Sequence, residues 1–223
     1  MKPSTRRKLR FAAGFAAFFV AIWLLWPTPI VYPLKIFVVL FHELSHALAA
    51  IATGGQVERI LLNPAQGGVT EVRGGNPFIM LSAGYLGSLA WGLLLLELAH
   101  TRARTLRIAV GAVGVFILAM TVLYVRGIFG AAFSLLAGAT LLIAARRLGP
   151  AALVAVLNVL GLTSALYALL DIRSDILQRS HLPSDAQMLA QLTGVPTVVW
   201  GVLWGGIGLV AGVWMVRRQY ARA

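Results

Sequence analysis

Apolar residues in this chain come in long unbroken runs, separated by short basic or glycine-rich stretches. A bilayer core about 30 Å thick takes roughly 20 such residues per helix. On that ruler the runs at about 11–26, 34–53, 77–98, 108–125, 127–145, 150–171 and 193–216 predict seven spans. The number falls to six if the runs flanking Arg126-Gly127 form one broken element. Between the second and third runs the pattern changes. Segments 57–62 and 68–73 are rich in strand-forming residues, the second alternates in strand fashion, and Asn63-Pro64-Ala65-Gln66-Gly67 supplies turn residues, so a β-hairpin is predicted there. The polar stretch 171–191 predicts a helical continuation of the sixth span. It then turns at Leu182-Pro183-Ser184-Asp185, where Ser184 or Asp185 caps a short helix. The expected architecture is an all-α polytopic membrane protein with a small hairpin, forming a single domain over residues 1–223.

Composition agrees. A hydrophobic content of 59%, a charged content of 12% and a mean hydropathy of +0.85 lie outside the range of soluble globular domains. The net charge of +12 raises the question of nucleic acid. Its distribution argues against that. Lys2, Arg6, Arg7, Lys8 and Arg10 precede the first run; Arg102, Arg104, Arg107, Arg146 and Arg147 sit in short connections; Arg217, Arg218 and Arg222 follow the last. These are the places where cations meet lipid head groups, and the five before the first run favour a cytoplasmic N-terminus in a cell (inner) membrane. The first run passes into Pro27-Thr28-Pro29 without a small-residue cleavage site, so it reads as an uncleaved span. With no cysteine in the chain, a thiolate metal site and a thiol nucleophile are excluded.

The second run contains His42-Glu43-Leu44-Ser45-His46. Two imidazoles and a carboxylate are costly in hydrocarbon and are retained where they face protein or water and have a task. On a helix His42 and His46 lie one turn apart on one face, the spacing with which two ring nitrogens bind one zinc ion. Glu43 is rotated away from ligation and suits the role of general base. Zinc lowers the pKa of its water toward about 7 and polarises a carbonyl.

A catalytic zinc needs a third protein ligand. His100 and His181 lie in polar connections and read as solvated. Glu58 and Glu71 belong to the hairpin, and Glu97 lies toward the far end of the third run. The remaining carboxylates are Asp171, Asp175 and Asp185. Asp171 ends the apolar run and sits nearest the depth of the histidines, Asp175 lies one turn further along the same face, and Asp185 reads as a helix-end carboxylate. Glycines at four-residue spacing, Gly84 and Gly92 around Ser88 and then Gly201 with Gly205, read as helix-packing positions.

Taken together, residues 42–48 with Thr53-Gly54-Gly55, and Ser82-Ala83-Gly84-Tyr85-Leu86-Gly87-Ser88, resemble the site-2 protease family of intramembrane zinc metallopeptidases, in its short bacterial branch without a PDZ domain. A looser similarity runs through Leu170-Asp171 and Ser184-Asp185-Ala186 to Trp200 and Trp204. The resemblance implies a zinc endopeptidase whose third ligand is an Asp on a later span, at Asp171. It also implies a membrane protein substrate and a membrane-associated hairpin after the pentad. Leu170-Asp171-Ile172 departs from the family's usual Leu-Asp-Gly. The expected function is hydrolysis of a peptide bond in a membrane-embedded or juxtamembrane substrate, with an edge of the hairpin holding the unwound strand. The rival readings are a non-proteolytic metal-binding scaffold or regulator and, less favoured, a transporter. Oligomeric state is not legible in the sequence.

Overall fold

The computed structural model describes residues 3–26, 28–177 and 184–222. Among these, eight helices and three strands run in the order α1 (Pro3–Leu25), α2 (Tyr32–Ala52), β1 (Gln56–Asn63), β2 (Gly67–Arg73), α3 (Pro77–Leu98), α4 (Ala103–Tyr124), β3 (Val125–Arg126), α5 (Ile128–Arg147), α6 (Pro150–Leu177), α7 (Asp185–Thr193) and α8 (Thr197–Arg222). Among the described residues six helices, α2 to α6 and α8, are long and apolar enough to cross a membrane, and α1 adds the apolar stretch Ala12–Ile22. The protein is therefore a polytopic helical membrane protein with one small sheet. The runs flanking Arg126-Gly127 are two separate packed helices.

Helix α2 is the buried centre of the molecule. Ile36, Leu40, Phe41, Leu44, Ala47 and Ala50 are fully enclosed. It packs on α3 in antiparallel fashion, with Phe41 stacked on Trp91 at 4.8 Å between ring centroids. Helix α3 in turn packs on α6 through small residues. A Cβ on Gly92 would lie 2.8 Å from both the Gly161 carbonyl oxygen and the Ala165 amide nitrogen, and Ser164 Oγ donates to the Ser88 carbonyl at 2.7 Å. Such close backbone approach is how helices associate in lipid, where burial of apolar surface supplies little drive. The same device joins α4 to α5, where Gly114 faces the Gly138 carbonyl. Gly205 differs from the packing role expected of it, since a Cβ there would meet nothing within 4 Å.

The hairpin forms where the sequence places it. Strands β1 and β2 pair antiparallel from Gln56↔Arg73 to Asn63↔Gly67, with an irregularity between Val57 and Arg59. Gln66 closes the turn at φ 66°, and Asn63 Oδ1 accepts from the Gly67 amide at 3.1 Å. The tip folds back along α2, because Tyr32 Oη donates to the Pro64 carbonyl at 2.8 Å. One face of the sheet, carrying Ile60 and Leu62, joins the core around α2. The other carries the exposed cross-strand pair Arg59–Glu71 at 2.8 Å. Strand β3 was not expected: Val125 and Arg126 pair parallel with Ile60 and Leu61, giving the order β2-β1-β3.

Candidate metal centre

Helix α2 presents both histidines to one cavity, as the i, i+4 spacing requires. Their rings meet edge to face at 4.8 Å, and His42 also packs edge-on against Tyr85, which is buried beside Trp204. The Met80 carbonyl lies 2.7 Å from His46 Nδ1 and accepts its proton, which leaves Nε2 free to act as a ligand. An outer partner of this kind fixes ring orientation in metal sites.

The acidic partner is Asp185. Its Oδ2 lies 3.0 Å from His42 Nε2 and 3.2 Å from His46 Nε2. His42, His46 and Asp185 offer ligand atoms all within 4.8 Å of one another, and this is the group among the described residues that is arranged to hold a metal ion. Bonds of about 2 Å in a tetrahedron set ligand atoms roughly 3.3 Å apart, so spacings of 3.0 and 3.2 Å are compatible with an ion such as zinc. All three donors are nitrogen or oxygen, which suits the same ion. Burial raises the Asp185 carboxyl, but the adjacent His46 and His42 outweigh it and hold that group well below the usual carboxylate range.

Asp171, expected as the third ligand, is not part of this group. Asp171 lines the same cavity, but the carboxylate set against both imidazoles is Asp185. The physical reason is the placement of α7, whose first turn sets Asp185 against His42 and His46. Ser184 takes the capping role, its Oγ accepting from the Gln187 amide at 3.3 Å, and Asp185 is left free to face the histidines. The side chain of Asp175 and the whole of His181 fall outside the described residues. His100 is exposed with Nδ1 against the Leu96 carbonyl, Glu97 pairs with Arg218, and Glu58 and Glu71 pair with Arg73 and Arg59.

Glu43 is buried and lines the cavity without joining the ligand group. The cavity measures about 490 Å³ and is walled by α2, by β2 from Gly67 to Val72, and by Met80, Leu81, Tyr85 and Met188. Gly84 of α3 is less a packing position than a site residue, since its Cβ would collide with His42 Nε2 and with Asp185 Oδ2. Sequence reading weighed Asp185 but ranked it below Asp171, took Gly84 for a packing position and missed the Met80 carbonyl. The signal for the first was the looser similarity at Ser184-Asp185-Ala186.

A membrane bundle that brings an HExxH helix and a distant Asp into one ligand group has the build of an intramembrane metallopeptidase. The chain belongs to the Peptidase M50B-like family, whose model matches residues 15–215, and so to the site-2 protease family. No curated protein and no solved structure matches the chain.

Proposed function

We propose that this protein is an intramembrane zinc endopeptidase cutting a membrane-embedded or juxtamembrane protein substrate, with residues 1–223 acting as one catalytic domain. His42, His46 and Asp185 hold the metal, and Glu43 is the general base. The observation that carries the reading is the placement of Asp185 Oδ2 within 3.2 Å of both imidazole nitrogens, beside a buried Glu43 in the same cavity. A zinc ion held by these residues supplies Lewis acidity to a carbonyl oxygen and makes water more acidic. The chain's own contribution is to position and to move protons. Glu43 accepts the proton of the attacking water and delivers it to the leaving amine.

A helical substrate conceals its carbonyls in its own hydrogen bonds and must unwind before attack. Strand β2 supports a place for it, being an outer strand of the sheet and a wall of the cavity. The lipid bilayer is the medium, the inner membrane the proposed location, and the basic N-terminal segment sets a cytoplasmic N-terminus.

Glu43→Gln tests the assignment. Purified protein carrying it should keep its zinc, measured by elemental analysis, and lose cleavage of a transmembrane substrate by at least about 100-fold. Undiminished cleavage would remove Glu43 from the chemistry. A cellular phenotype that survives the substitution would instead favour a metal-binding scaffold.

A further inference from the structure

We propose that strand β2 is the positioning element of the general base, with Thr70 holding one oxygen of Glu43 and Gly68 making room for the other; this rests on the peptidase reading above. Thr70 Oγ1 lies 2.7 Å from Glu43 Oε2 and 3.0 Å from the Glu43 carbonyl oxygen, so its hydroxyl donates to the base and ties the strand to the turn of α2 that bears it. Gly68 stands two residues earlier, on the same face of the strand. A Cβ built there would lie 2.5 Å from Glu43 Oε1, 2.6 Å from Cγ and 2.8 Å from Cδ, nearer than such atoms approach. Two independent features of β2 therefore converge on one carboxylate.

The arrangement has a chemical purpose. Glutamate has three rotatable bonds, and an untethered base samples many positions relative to the carbonyl it must serve. A donor on Oε2 restrains the group and leaves Oε1 as the acceptor for the proton of the attacking water. The support beneath is rigid. Thr70 pairs with Ile60, which is fully enclosed and pairs in turn with Val125 of β3. A hydroxyl that merely satisfied itself could bond its own neighbourhood; this one spans from the sheet to the pentad.

Thr70→Val removes the donor while keeping the shape and the strand preference of a β-branched residue. Thr70→Ser keeps the donor. In detergent-solubilised full-length protein with a transmembrane peptide substrate, Thr70→Val should lower kcat by about 10- to 100-fold, the range that a displacement near 1 Å produces. KM and zinc content should stay unchanged, and Thr70→Ser should return kcat to within about threefold of the wild type. Gly68→Ala should also lower kcat with zinc retained. In a Glu43→Gln background Thr70→Val should cause no further loss.

The proposal is overturned if Thr70→Val cleaves as fast as the wild type. Loss of zinc or a rise in KM that accounts for the whole effect overturns it too, as does equal impairment by Ser and Val. If the wild type itself cleaves nothing, the peptidase reading fails and takes this proposal with it. Wild-type cleavage that is indifferent to Thr70 defeats the positioning role alone.

Discussion

Asp185 is the residue on which the metal assignment turns, and its neighbourhood separates a ligand from a bystander. Asp185→Ala should weaken zinc binding by well over about 100-fold, beyond the 10- to 100-fold typical of an outer-sphere partner. Asp171→Ala should leave zinc in place, because that side chain lines the cavity outside the ligand group. Zinc stoichiometry of the two purified variants decides the matter, and retention in Asp185→Ala with loss in Asp171→Ala would reverse the assignment. The pair also shows what a sequence conveys at this scale. His42, Glu43 and His46 were legible because a single helical turn fixes their relation. Depth along α6 was legible as well, and it singled out Asp171. The return of the chain through α7 was not, since no local pattern encodes where a helix after a turn will dock. Thr70 and Gly68 were concealed for a similar reason: alternation assigned them to one strand face but did not say what that face would meet.

At the level of elements, the hairpin lies within a residue or two of where strand-forming residues and turn chemistry predicted it. Strand β3 had no signature, because two residues carry no periodicity; Gly127 at φ 80° is the local mark that the helical path breaks there. The use of β2 as a docking edge can be tested with proline. Val69 and Val72 have opposite parity along the strand, so one amide points toward β1 and the other toward the open side. Proline at the outward position should impair cleavage by roughly tenfold or more with zinc content unchanged, since it removes a donor available to an added strand. If proline at the outward position leaves cleavage intact, strand addition at this edge is ruled out.

Over the whole molecule, the membrane spans were the most legible feature, since hydropathy and length alone define them. Helix pairing was only partly so. Four-residue glycine spacing marks a possible contact but not its partner, and it marked Gly205, which faces open space, as readily as Gly92, which meets α6. The contrast predicts unequal outcomes. Gly92→Leu should destabilise the bundle by about 1–3 kcal/mol or more, the usual cost of overpacking, because the α6 backbone cannot yield. Gly205→Leu should change thermal unfolding little under the same detergent conditions. Similar unfolding temperatures for the two variants would contradict the α3–α6 contact.

Strand β3 has a consequence beyond its two residues. By pairing with β1 at Ile60 and Leu61, on the side away from β2, it occupies the middle of that border against an added strand. The flank of β2 is the sheet's other border. On the proposed reading, an extended substrate joining there would lie alongside the glycine and threonine that hold the proton acceptor, so that admission to the sheet and delivery to the chemistry would be one event.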